Sequence, residues 1–216
     1  MADGCLFYYI TDRSQFRGDE SNRRRALLAK IAEAAQWGVD YIQLREKDLT
    51  ARELENLARE VVATVRQGSA STRVLINSRT DIALATEADG VHLRADDISP
   101  ANVRRILQTV HPQPTRHFAL AVSCHSNEDV IRADVEAVDF AVFAPVFGKS
   151  KVPESKGTGI EALREASRGK IPVLALGGVS VENAASCLDA GAAGVAGIRL
   201  FQDNKIADVV RALRAA

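Results

Sequence analysis

The sequence predicts a closed (β/α)8 barrel, and three observations lead there. Short β-branched and aliphatic runs alternate with longer stretches of helical period throughout the chain. The runs number eight, the strand count of that barrel. A weak repeat of helix end, small residue and strand recurs at Trp37 to Leu44, Ala88 to Leu93, Glu136 to Phe143 and Ala190 to Gly197. Such repetition suits a fold assembled from copies of one unit. Alternating β and α units imply right-handed crossovers and a parallel sheet. A doubly wound open sheet competes, but the count and the repeat favour closure.

The elements follow in order. The first strand is expected at Leu6–Thr11, followed by a helix over Asn22–Trp37 with Ala26, Leu27, Ala29, Ile31 and Ala34 on one side. The second strand, Val39–Arg45, leads to a helix at Thr50–Val65, where Thr50 and Glu53 have the spacing of a capping box. Strands at Arg73–Ser78 and Gly90–Leu93 precede a helix that Ser99 and Pro100 open and that runs through Leu107. The fifth strand spans Phe118–Ser123, with Asn127 and Val130 starting the next helix. Strands at Phe140–Val146, Pro172–Leu176 and Gly194–Leu200 complete the set, and Ser180 with Asn183 starts another helix.

No linker or low-complexity stretch divides the 216 residues, so residues 1–216 read as a single barrel domain. With 46% hydrophobic residues the chain can fill a sizeable core. Lys plus Arg equals Asp plus Glu, 28 against 28, so no global field favours nucleic acid or an anionic membrane. No apolar run approaches the ~20 residues of a membrane span. The first residues lack the basic and apolar regions of a secretory signal. Cys5, Cys124 and Cys187 are odd in number and widely spaced, which fits neither a disulfide framework nor a zinc site. A reducing cytoplasm is the expected location, and a homo-oligomer is compatible with the sequence.

In such a barrel the reacting groups sit at the C-terminal strand ends. Polar residues gather there: Thr11 to Arg13, Gln43 to Lys47, Asn77 to Arg79, His92 to Asp97, Ser123 to His125, and Arg199. Elsewhere the strands are almost wholly apolar, and that asymmetry is the main sign of a site. Gly177 and Gly178, with the turn from Gly194 to Arg199, stand where barrels often bind phosphate, although paired glycines also serve tight turns. Arg45 and Lys47 alternate and so point to one side, towards an anion or towards Glu46 and Asp48. Lys149 and Lys151 add two cations in a Gly- and Ser-containing loop. Asp96 and Asp97, with Asn77, offer oxygen ligands for Mg²⁺, or else one of them caps the next helix. His125, beside Ser123, suits proton transfer, whereas Cys124 reads as a packed small residue.

These strand ends resemble the thiamine phosphate synthase family, which includes the similar thiazole tautomerases. The likeness runs through Tyr9 to Asp12, Tyr41 to Asp48, Leu75 to Arg79, Ala88 to Leu93, Ala121 to Ser126, Pro145 to Phe147, Pro172 to Val179 and Ala190 to Ala196. The Gln43 to Lys47 stretch is its most specific part. The resemblance implies an enzyme that joins a hydroxymethylpyrimidine pyrophosphate to a thiazole phosphate and releases pyrophosphate. It implies that Arg45, Lys47 and Asn77 hold the pyrophosphate, with Gln43 beside the pyrimidine and Asp97 on Mg²⁺. Ser123 and Lys151 would stabilise the departing pyrophosphate; Gly177, Gly178, Ile198 and Arg199 would face the thiazole phosphate. In the tautomerase branch, His125 would be the acid/base that aromatises a thiazole phosphate carboxylate. A barrel that binds a phosphorylated ligand without turnover is a third expectation. Three positions depart from the synthase pattern. Ser78 stands where an Asp is usual, Arg94 and Ala95 replace Gly-Gln, and the loop to Lys151 lacks two threonines.

Overall fold

A computed structural model of the chain describes residues 4–110, 117–148 and 157–215. Eight parallel strands close into a barrel in sequence order: β1 (Leu6–Ile10), β2 (Tyr41–Leu44), β3 (Arg73–Asn77), β4 (Gly90–Leu93), β5 (Ala119–Cys124), β6 (Phe140–Phe143), β7 (Val173–Ala175) and β8 (Gly194–Gly197). β8 returns to β1 with Leu6 opposite Gly194, so the sheet has no free edge. Around it lie α1 (Glu20–Gln36), α2 (Ala51–Gly68), α3 (Thr80–Ala85), α4 (Pro100–Val110), α5 (Asn127–Val135), α6 (Ile160–Ala166), α7 (Ala184–Asp189), α8 (Arg199–Gln202) and α9 (Ile206–Arg214).

The period of two along each strand sorts side chains into two cores. Tyr8 and Ile10 of β1, Leu75 of β3, Ala119 and Ala121 of β5, Phe140 and Val142 of β6, and Leu174 of β7 fill the barrel interior. Their neighbours Phe7, Tyr9, Val74, Ile76, Leu120 and Phe143 face the helices instead. The same parity turns Gln43, Asn77, His92 and Ser123 into the lumen, above the apolar layer. Tyr8 anchors that layer, edge-on to Phe140 at 5.3 Å between centroids and to Tyr41 at 6.0 Å. Such aromatic pairs add about 0.5–1.5 kcal/mol each beyond their buried area.

Helix boundaries follow their caps. Thr50 and Glu53 form the expected capping box, with the Glu53 backbone N–H donating to Thr50 Oγ1 and the Thr50 N–H to Glu53 Oε2. Ser126 and Asp129 form a second one at α5. Several boundaries differ from expectation by one to three residues, β6 for instance ending at Phe143 rather than Val146, and two of the differences have a local cause. The eighth strand stops at Gly197, because Ile198 turns into a helical conformation and Arg199 opens α8. No helix starts at Ser180: the Asn183 side chain accepts from the Ser180 N–H at 2.8 Å and donates to Gly178 O, closing a loop before α7 begins at Ala184.

α1 and α9 meet at the N-terminal end of the barrel. The Ile206 N–H donates to Glu33 Oε1 at 2.7 Å, and Lys30 Nζ donates to Asn204 O. There Trp37, the sole tryptophan, follows α1 and is 43% exposed. With Val210, Arg211 and Arg214 it lines a shallow cavity of about 370 Å³. Among the described residues, no helix is long and apolar enough to cross a membrane.

Candidate active site

The site is built from the C-terminal ends of the strands, beginning with what fixes β1 and β2. Thr11, just past β1, accepts from the Arg45 N–H at 3.0 Å and donates to Glu46 Oε1 at 2.6 Å. Arg13 is buried and donates to Glu46 Oε2 from both its backbone N–H and its guanidinium. Its other donors reach Asp48 in a two-pronged contact at 2.7 and 2.9 Å, and Glu20 at 2.7 Å. Burial pushes the Glu46 carboxyl up despite these donors, and the Arg13 contact holds Asp48 below the usual carboxylate range.

This network settles where Glu46 and Asp48 direct their charge. Both are committed to Arg13, so the pairing of Arg45 and Lys47 with them, expected as one alternative, does not occur. Among the described residues, neither Arg45 nor Lys47 makes an ion pair. Lys47 is exposed, and its pKa is lowered chiefly by the neighbouring Arg45, with Arg94 adding to the effect. Two cations without carboxylate partners, beside a third, raise the positive potential at the β2–β4 side of the mouth.

Asn77 ends β3 in this sector, and its Nδ2 donates to Ser78 Oγ at 3.1 Å. Ser78 has φ of +61°, a conformation in which Asn and Asp are the favoured side-chain-bearing residues. After β4, Asp97 Oδ2 accepts from the Arg94 N–H at 2.7 Å, and Asp96 pairs with the Arg94 guanidinium. Neither aspartate caps α4, where Ser99 Oγ accepts from the Asn102 N–H. Among the described residues, no cluster of three or more His, Cys, Asp or Glu could hold a metal ion.

Below this rim runs a polar chain that the sequence reading did not identify. Gln43 Nε2 donates to Tyr8 Oη at 2.9 Å, Tyr8 Oη lies 3.1 Å from His92 Nδ1, and His92 Nε2 lies 2.8 Å from Ser123 Oγ. Tyr8, Gln43 and His92 are buried. Burial, assisted by Arg45, pushes the His92 imidazole down to about 3, so it is neutral near pH 7. The available signal was parity: Val91 and Leu93 face outwards, so His92 between them faces in.

His125 stands exposed past β5, its Nδ1 2.7 Å from the carbonyl oxygen of Ala144. A carbonyl only accepts, so Nδ1 carries a hydrogen, and in the neutral form of the ring Nε2 is the bare nitrogen. Cys124 is buried, its thiol pushed up to about 12. Across the mouth, Gly177 and Gly178 have φ of +96° and +67°. A Cβ on either would fall 2.7 Å from Pro145 or Phe147 atoms, so tight packing against the loop after β6 requires both glycines. Ile198 is half-buried and Arg199 exposed at the start of α8, next to them in the barrel. Lys149 and Lys151 lie outside the described residues.

Comparison with known proteins gives concordant results. A family model described as thiamine monophosphate synthase matches residues 7–201. A protein of Aquifex aeolicus (strain VF5), provisionally named thiamine-phosphate synthase 2, is 41% identical over 195 residues, covering 90% of this chain and 96% of its own. The thiamine-phosphate synthase of Caldanaerobacter subterraneus subsp. tengcongensis is 35% identical over 216 residues, covering 97% and 94% of the two chains. Among solved structures, a thiamine phosphate pyrophosphorylase from Pyrococcus furiosus matches with a TM-score of 0.78 at 25% identity, covering 99% and 96%.

Proposed function

Because this chain belongs to the thiamine monophosphate synthase family, we propose that it joins hydroxymethylpyrimidine pyrophosphate to thiazole phosphate and releases pyrophosphate. The observation that carries this reading is the release of Arg45 and Lys47 from their neighbouring carboxylates, which Arg13 takes. Cations kept unpaired at a barrel mouth suit an incoming polyanion. Asn77 adds an amide to that sector, and Gln43, buried beneath it, is the residue assigned to the pyrimidine ring. Gly177, Gly178, Ile198 and Arg199, on the β7–β8 side, take the thiazole phosphate. Two separated anion sectors suit two phosphorylated substrates.

Breaking the bond to pyrophosphate leaves a pyrimidine carbocation, so catalysis is mainly electrostatic stabilisation of the leaving group. Lys47, Arg45 and Lys151 supply positive charge and Ser123 a hydroxyl donor; the thiazole nitrogen then attacks the cation. The donor chemistry at β3–β4 fits Mg²⁺, which takes one or two carboxylates together with substrate phosphate oxygens. Asp97 would hold it, since among the described residues only its Oδ2 is engaged, by the Arg94 N–H. When bound, the ion neutralises charge on the pyrophosphate. Small phosphorylated molecules in the cytoplasm are the partners this reading requires.

A second reading rests on His125. With Nδ1–H held by Ala144, its exposed Nε2 is a base directed by the fold, which suits aromatisation of a thiazole phosphate carboxylate. One experiment separates the two: purified protein is given both synthase substrates with Mg²⁺, and released pyrophosphate is measured. Release that needs both substrates and Mg²⁺ is expected. No release, with thiazole phosphate still bound, would transfer the assignment to the tautomerase reading and to His125.

A further inference from the structure

Gln43, Tyr8, His92 and Ser123 come from β2, β1, β4 and β5, and their contacts cross the barrel lumen as one line. Each link limits the next. The Tyr8 hydroxyl has one hydrogen. When the Gln43 amide donates to Tyr8 Oη, that hydrogen is free for His92 Nδ1. A neutral imidazole that accepts at Nδ1 carries its hydrogen on Nε2. Nε2 therefore donates to Ser123 Oγ, and the only hydrogen on Ser123 is left to point away from His92, into the mouth.

We infer that His92, oriented by Tyr8 and Gln43, is a positioning residue that makes the Ser123 hydroxyl an outward hydrogen-bond donor to the departing pyrophosphate. The inference rests on the synthase reading for the identity of the anion, though not for the direction of the chain. An unguided serine hydroxyl could turn its hydrogen inward and present lone pairs to an anion. A donor aimed in advance costs no reorganisation as charge develops on the leaving group. Polarisation along linked hydrogen bonds strengthens the last donor as well. A doubly protonated imidazole would donate at both nitrogens and break the order, but His92 is buried near Arg45 and stays neutral.

The reverse chain would have Gln43 Oε1 accept from Tyr8 and put the imidazole hydrogen on Nδ1. ¹⁵N NMR of histidine-labelled protein near pH 7 distinguishes the two, with the His92 signal assigned by its loss in His92→Gln. The expected spectrum has Nε2 protonated and Nδ1 bare, and Tyr8→Phe raises the Nδ1–H fraction. A wild-type Nδ1–H ring overturns the inference whatever the protein catalyses.

The kinetic arm uses two replacements. His92→Gln places an amide near the position of Nε2 and should keep kcat within about fivefold, whereas His92→Asn is too short and should lower kcat about tenfold or more with KM little changed. In a Ser123→Ala background the Asn change should add less than about twofold, because His92 acts through Ser123. Losses that multiply independently would mean a merely structural role and overturn the inference. If wild type releases no pyrophosphate, the synthase reading fails, and the NMR result still decides the direction.

Discussion

At the scale of single residues, the contrast between Lys47 and Glu46 makes opposite demands on function and stability. Lys47 is exposed and, among the described residues, carries no ion pair, so Lys47→Ala should leave unfolding within about 0.5 kcal/mol of wild type. Its kcat/KM for pyrophosphate release should fall about a hundredfold or more, because a charge opposite the leaving group is lost. A variant that retains activity would remove Lys47 from the site. Glu46 is buried against Arg13. Glu46→Ala should cost about 3 kcal/mol in urea unfolding, since it leaves the buried Thr11 hydroxyl, the Arg13 backbone N–H and the inner side of the guanidinium without their acceptor. Asp48→Ala, at the exposed end of the same guanidinium, should cost no more than about 1 kcal/mol. Equal costs would show that Arg13 does not depend on the buried partner. The sequence made Arg45 and Lys47 visible as cations at a strand end. It could not show which cation claims Glu46 and Asp48, because Arg13 lies more than thirty positions upstream of both.

Elements defined by local chemistry were the legible ones. The box at Thr50 and Glu53 involves residues three apart, so spacing alone announces it; Thr50→Ala should cost about 1 kcal/mol, measurable by thermal or urea unfolding. The eight strands were legible because burial on both faces leaves continuous apolar runs between polar ends. Where a side chain competes with the backbone, the reading failed: Asn183 closes its loop and delays α7 to Ala184. The pair Gly177 and Gly178 was legible as a special backbone position, but its cause was not. Contact with Pro145 and Phe147 is long-range, and it is that contact which forbids a Cβ. Gly177→Ala should therefore destabilise the fold and weaken binding of inorganic phosphate together. Loss of binding with unchanged unfolding would mean that the loop tolerates a Cβ and that its backbone meets the ligand directly.

For the molecule as a whole, one buried ring sets a pH response. His92 has a folded-state pKa of about 3 against 6.5 in the unfolded chain. Between those values the unfolded chain binds a proton that the folded one refuses, so this contribution is complete above pH 6.5 and is lost as pH falls towards 3. By pH 5 the loss is about 2 kcal/mol. Wild type and His92→Gln, compared by urea unfolding at pH 7 and pH 5, should therefore converge by about that amount. A constant difference would mean that the folded ring takes up its proton as readily as the unfolded one. Trp37 gives this molecule a second property. As the sole tryptophan, it lies at the N-terminal end of the barrel where α1 meets α9, a barrel's depth from the mouth. Its emission should be blind to substrates and sensitive to loosening of the seam between the first and last helices. Calorimetry would register ligand while the optical trace stays flat, and the order in which fluorescence and circular dichroism change on denaturation would tell whether the barrel opens first at that seam.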